Sequence, residues 1–176
     1  MELLWNLFSI SNEWVMWIFL CIALVILYFL LRFLIWKKEQ PEERVVFKKF
    51  LIVFLVSIII SVLVIHGLKS SLQVPRPCVP CLDHTPDCNP YCPEPWDYSF
   101  PSGHAGTIFV LFTSFFMIYK KKWFLPLFIF PALVAYSRVA LGVHTYPDVI
   151  GGAVLGIIIP VIVWKIEKIY RVFKRV

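Results

Sequence analysis

The chain has 176 residues, 60% hydrophobic, 17% aromatic and only 16% charged. An ordinary soluble domain carries about 45–50% apolar and about 25% charged residues, so this composition, with a mean hydropathy of +0.79, excludes soluble enzymes, disordered chains and secreted disulfide miniproteins. The formal net charge of +6 would suit a nucleic-acid binder, but the basic residues flank apolar runs, which is a topology pattern, and no basic groove with stacking aromatics is visible.

Residues 1–12 are too short to span a bilayer, and Leu3, Leu4, Leu7 and Phe8 recur at helical spacing. This segment reads as an interfacial helix; without a positive n-region it does not read as a cleaved signal peptide. Residues 14–31, continuing to 36, and 50–68 are each long enough to cross a hydrocarbon core of about 30 Å. The runs 105–119, 123–136 and 149–164 are shorter, and lysines at 120–122, 165 and 168 mark their ends. Such short spans extend through polar residues at one end, which puts polar chemistry below the membrane surface, where only a protein-lined cavity tolerates it. The expected fold is an all-α integral membrane helical bundle of about five transmembrane helices plus the N-terminal interfacial helix. It forms one domain over 1–176, with 69–103 as an outer Pro/Cys-rich loop. Gly152-x3-Gly156 reads as a close helix contact inside the bundle, with a homodimer seam as the alternative. Pro126, Pro131 and Pro160 read as kinks at most.

With five spans, 14 of the 17 Lys and Arg residues fall on one side. By the positive-inside rule that side is cytoplasmic, so the N-terminus lies outside and the C-terminus inside. Residues 165–175 then anchor to anionic lipid. Trp14, Trp36, Trp123 and Trp164 sit at span ends as an aromatic belt. The outer side holds three cations, Lys69, Arg76 and Arg138. Any one of them alone would be read as snorkelling to water.

Residues 75–101 hold eight prolines and four cysteines, Cys78, Cys81, Cys88 and Cys92. Outside the cell two disulfides are favoured, in any of three pairings, with Cys78–Cys81 closing a strained small loop. A four-cysteine zinc site is the alternative. Either would brace a loop over the site. His84, Asp83 and Asp87 read as solvated loop residues, Cys21 as core of the first span, and His66 as a hydrogen-bonded structural histidine.

The three cations share their face with Pro101-Ser102-Gly103-His104, which opens the third span. There Pro suits the first turn, Ser suits the cap, and the amides of Ser102, Gly103 and His104 would face an anion. His144 and Asp148 stand between the last two spans, with the carboxylate able to reach back to one ring nitrogen and leave the other as a nucleophile. Cations and N–H donors stabilise a transferring phosphoryl group, one histidine attacks, and the other protonates the leaving oxygen. No carboxylate cluster suited to magnesium appears on that side, so no metal or other cofactor is expected.

Lys69-x6-Arg76-Pro77, Pro101-Ser102-Gly103-His104 and Ser137-Arg138-x5-His144-x3-Asp148 together resemble the three-part signature of the type 2 phosphatidic acid phosphatase superfamily. The resemblance covers 69–148, with every key position filled. It implies a metal-independent helical-bundle phosphatase with its site near the outer membrane surface. His144 would be the nucleophile, Asp148 its partner, and His104 the acid and then the base. Lys69, Arg76, Ser102, Gly103 and Arg138 would hold the phosphate. Many relatives have six spans, against five plus an interfacial helix here.

The implied substrate is a lipid phosphomonoester or diphosphate reached from the bilayer. Lipid A 1-phosphate or phosphatidylglycerol phosphate is preferred, because the cations are no more than one phosphate requires. Phosphatidate and polyprenyl diphosphate are the other substrates of compact families of this kind. No nucleic acid and no obligate protein partner is expected. The rivals are a lipid phosphotransferase using the same residues, a vanadate-dependent haloperoxidase, which the spans oppose, and a transporter or scaffold keeping a degenerate site, which the intact His104, His144 and Asp148 oppose.

Overall fold

The computed structural model describes residues 41–79, 81, 88–92, 97–120 and 122–173. The interfacial helix at 1–12, the span at 14–36, Cys21, Asp83, His84 and Asp87 lie outside the described residues. The chain divides into two compact units, Met1–Phe47 and Lys48–Val176. The second contains every residue of the candidate site and every described helix except the first turns of α1.

Among the described residues the regular structure is helical: α1 (Pro41–Leu72), α2 (Gly103–Tyr119), a 3-10 turn (Lys122–Phe128), α3 (Ile129–Ala140) and α4 (Tyr146–Phe173). In α1 the buried residues Phe50, Val53, Phe54, Ser57, Ser61, Ile65 and Lys69 recur every three or four positions, while Ile52, Leu55, Val56, Ile59, Ile60 and Leu63 are exposed. A helix apolar on both faces needs an apolar surrounding on each. Val45–Leu72 and Tyr146–Tyr170 are long and apolar enough to cross a bilayer, yet only 28% and 33% of their most apolar windows are buried in protein. A soluble core helix would be mostly buried, so the exposed isoleucines and leucines fit lipid. Gly103–Tyr119 and Phe124–Ala140 are shorter apolar helical stretches, and five spans remain an expectation of the sequence.

Two boundaries differ from that expectation. Helix α1 runs through Lys69 to Leu72, so Lys69 belongs to a last helical turn and not to the loop. The polar Lys69-Ser70-Ser71 does not break a helix, whereas Pro75 restricts the residue before it. The fourth apolar run is not one helix: it opens as a 3-10 turn containing Pro126, and α3 begins only at Ile129. Pro131 then falls in the first turn of α3, where its missing N–H costs nothing.

The helices alternate in direction, so the C-termini of α1 and α3 and the N-termini of α2 and α4 meet at one end. Val53 packs with Ile159 and Val163, joining α1 to α4. Ala105, Ala135 and Val149 join α2, α3 and α4. Phe115 bridges Phe50 and Phe124 at ring-centroid distances of 6.0 and 4.9 Å. Helices α2 and α4 approach backbone to backbone: a Cβ on Gly156 would lie 2.5 Å from the Gly106 carbonyl oxygen, and one on Gly152 would collide with that of Ser102. The Gly152-x3-Gly156 seam is thus used inside the bundle. At the opposite end Lys120 and Lys168 lie over the Trp164 ring, 4.8 and 5.6 Å from its centroid.

Candidate active site

Four helix termini supply the site. Lys69 comes from the last turn of α1, Ser102, Gly103 and His104 from the start of α2, Arg138 from the last turn of α3, and Asp148 from the first turn of α4. Arg76 lies in the loop after α1, and His144 in the turn between α3 and α4. That turn is shaped by Gly142, at φ +69°, and by the Arg138 carbonyl, which accepts from the amides of Val143 and His144 at 3.2 and 3.3 Å. Lys69 and Arg138 are 4% and 3% exposed, and the Arg76 side chain 8%. None of the three snorkels to water; all are held inside, where an unpaired charge is costly.

Their compensation comes from Asp97, a residue outside the three motifs. Its Oδ1 lies 2.5 Å from Lys69 Nζ and its Oδ2 2.7 Å from Arg76 Nη2, while its backbone oxygen accepts from Arg76 Nε at 2.7 Å. Burial alone would raise the Asp97 carboxyl. The hydrogen bond from Lys69 and the charges of Arg76 and Lys69 outweigh it and hold the group below the ordinary carboxylate range. The three cations call for an anion, but residue type alone does not single out Asp97, because Asp83, Asp87 and Glu94 share its loop.

Arg76 also donates through Nη1 to the Val143 carbonyl at 2.9 Å, and the same nitrogen lies 3.2 Å from His144 Nε2. His144 Nε2 therefore faces the Arg76 guanidinium. On the other side of the ring, Asp148 Oδ2 stands 3.6 Å from Nδ1, beyond a direct hydrogen bond. Ser99 bridges the gap: its Oγ is 3.3 Å from His144 Nδ1 and donates to Asp148 Oδ2 at 2.5 Å. The Thr145 amide donates to the same carboxylate oxygen at 2.7 Å, closing the first turn of α4 as a capping box does. The sequence reading paired His144 with Asp148 and missed Ser99, because a serine in a proline-rich loop looks like an ordinary turn residue.

At the start of α2, Ser102 is the N-cap but its hydroxyl makes no capping bond. Its Oγ and Arg138 Nε are buried without a partner, which is costly for polar atoms unless a ligand meets them. Pro101 lies one residue before the cap and not in the first turn. The Ser102 amide, expected to face an anion, instead donates to the Asp148 backbone oxygen at 2.9 Å, because the glycine seam brings the two helix starts into backbone contact. His104 is half-buried in the first turn of α2, whereas His66 is exposed on α1.

The four loop cysteines form Cys78–Cys92 and Cys81–Cys88, nested bridges that leave no thiolate set for zinc. They hold Asn89, whose Nδ2 donates to the Leu141 carbonyl at 2.8 Å, tying the loop to the turn that carries His144. Among the described residues no group of three or more His, Cys, Asp and Glu side chains is arranged to hold a metal ion.

Burial first, then the charges of Arg76, Arg138 and Lys69, lower the His144 pKa to about 4 against the opposing influence of Asp148. The ordinary value is about 6.5, so the ring stays neutral and its lone pair available down to pH values where a free histidine is protonated. In histidine-labelled protein in detergent, the NMR signal that disappears in His144→Gln is expected to titrate with a midpoint near pH 4, well below an ordinary histidine. A midpoint of 6 or above would contradict this burial.

Residues 50–170 match the PAP2 superfamily, and with all three motifs meeting at one end of the bundle the chain belongs to that superfamily. It is 31% identical over 173 residues to a lipid A 4'-phosphatase of Porphyromonas gingivalis, covering 90% of this chain and 64% of that one. It is 49% identical over 70 residues to an undecaprenyl-diphosphatase of Sulfolobus acidocaldarius, covering 36% and 31%. The matches thus span less than two thirds of these relatives' own lengths. The crystal structure of Aquifex aeolicus LpxE is similar at a TM-score of 0.54 and 26% identity, covering 92% of this chain and 93% of that one.

Proposed function

We propose that this protein is a metal-independent membrane lipid phosphatase that removes phosphate from a lipid head group through a phosphohistidine. The carrying observation is that His144 Nε2 faces Arg76 in a site where Arg138 Nε and Ser102 Oγ are buried without partners, a donor arrangement complementary to a phosphoryl group. His144 Nε2 attacks phosphorus, the P–N bond forms as the P–O bond to the lipid breaks, and His104 gives the leaving oxygen its proton. Water, deprotonated by His104, then cleaves the P–N bond and releases inorganic phosphate. Ser99 and Asp148 stabilise the ring's positive charge from the Nδ1 side. Lys69, Arg76, Arg138, Ser102 and Gly103 hold the phosphate oxygens, and the three cations supply the charge that a metal would otherwise bring.

The substrate class is the phosphomonoester or diphosphate of a large lipid, in keeping with the relatives named for lipid A and undecaprenyl diphosphate. Lipid A 1-phosphate and phosphatidylglycerol phosphate are preferred, since three cations are no more than one phosphate requires. The site faces outward, with the N-terminus outside and the C-terminus cytoplasmic. The basic residues of the other face and two disulfides suited to an oxidising compartment support this orientation.

The test is phosphate release by the purified full chain in detergent with chelator present, from lipid A, phosphatidylglycerol phosphate, phosphatidate and polyprenyl diphosphate. Release from at least one lipid, unchanged by chelator, is expected. No release from any, or release only on adding magnesium, would overturn the reading.

A further inference from the structure

Asp97 pairs with two of the three buried cations of the site. Its two carboxylate oxygens grip Lys69 Nζ and Arg76 Nη2, the fork that two oxygens of a phosphate would present to the same cations. It is also the exposed member of the cluster: its side chain is 31% accessible, against 5% for Lys69 and 8% for Arg76. The carboxylate therefore covers the cations from the solvent side. Arg76 has little capacity to spare, since Nε, Nη1 and Nη2 all have partners within the protein.

We propose that Asp97 is the resting counter-anion of the phosphate subsite: it pairs Lys69 and Arg76 while the site is empty, yields them to the substrate's phosphate, and takes them back as inorganic phosphate leaves. This rests on the phosphatase reading of the same site. The physical case has two parts. Two buried cations without an anion are costly, so an empty site needs a substitute for phosphate. A subsite of three cations opposed, among the described residues, only by Asp148 would also hold the dianionic product firmly, and slow product release limits turnover. A tethered carboxylate answers both needs. It competes for the two cations at high local concentration, so inorganic phosphate is held less tightly and leaves sooner.

The backbone allows such an exchange. Asp97 is held by its carbonyl oxygen on Arg76 Nε, and Ser99 by its amide on the Val74 carbonyl at 2.8 Å. The carboxylate can therefore rotate away while the chain carrying Ser99 to His144 stays fixed.

The experiment is calorimetric binding of inorganic phosphate to the purified full chain, wild type against Asp97→Asn and Asp97→Glu, with the inhibition constant for phosphate measured in the release assay. Asp97→Asn is expected to bind phosphate at least 10-fold more tightly, with KM and kcat both lowered as product release slows. Asp97→Glu, which keeps the charge, is expected to stay within about threefold of wild type. A merely structural ion pair would move the other way, because its loss would loosen Lys69 and Arg76 and weaken phosphate binding. Unchanged or weaker binding by Asp97→Asn would therefore overturn the proposal.

If Asp97→Asn does not fold, infrared difference spectra of wild type labelled with 13C-aspartate decide the matter. Adding phosphate is expected to shift a carboxylate band that is missing from the labelled set in Asp97→Glu, and no such shift would overturn the proposal. Failure of the underlying phosphatase reading looks different: wild type would release no phosphate from any lipid, while direct phosphate binding would still report on Asp97.

Discussion

Replacing His144 with alanine is expected to lower kcat by at least about 10⁴-fold, the scale on which removal of a covalent nucleophile is felt. Among the described residues no other group near Arg76 is equipped to replace it. Ser102 Oγ is buried but has no base within hydrogen-bond reach, and the four loop cysteines are consumed in disulfides. In the proposed mechanism His104 is assigned to proton transfer at the leaving oxygen. His144→Gln keeps a side chain able to meet both Arg76 and Ser99, so it separates loss of chemistry from loss of fold. It is expected to be as inactive as alanine and to melt close to wild type. Phosphate release in chelator and thermal melting in detergent measure the two effects, and turnover within tenfold of wild type in either variant would overturn the phosphohistidine mechanism.

Gly152→Ala is expected to have the second largest effect, although residue 152 touches no substrate. Its new methyl would meet the Ser102 carbonyl oxygen and lie 3.1 Å from the Gly106 amide nitrogen. Both are backbone atoms, which cannot swing aside. Helix α2 must move away from α4, and that parts the Ser102 amide from the Asp148 carbonyl and shifts the Ser102–His104 turn against His144. Overpacking of this kind costs about 1–3 kcal/mol, and misplacing reacting groups by about 1 Å costs about 10²-fold in rate. Gly156→Ala meets the Gly106 carbonyl one turn deeper and is expected to lose similar stability with a smaller loss of kcat. Gly67→Ala on α1 has nothing within 4 Å of the new methyl and is expected to keep both. Equal kcat in Gly152→Ala and wild type would show that the helix contact does not position the site.

In an apolar chain a charge is conspicuous, because lipid and protein interior both penalise it. Lys69, Arg76, Arg138, His104, His144 and Asp148 therefore stand out by type and by the side they share, and the structure brings the helix ends and loops that carry them to one end of the bundle. The glycine seam was legible for a similar reason: small residues one turn apart mark where helices approach closely.

The disulfide pairing, the Asn89 anchor, the capture of the Ser102 amide by Asp148, the Ser99 bridge and the Asp97 clamp were decided only by the tertiary structure. Asp97 meets residues 28 and 21 positions away, and Ser99 meets residues 45 and 49 positions away. Both lie in a proline-rich loop, where aspartate and serine are the usual solvated turn formers, so their types carry no signal until the loop folds back. The sequence by itself determined which charges must be buried together. Folding decided how each is neutralised, because a buried charge needs a partner but does not specify which loop residue will supply it.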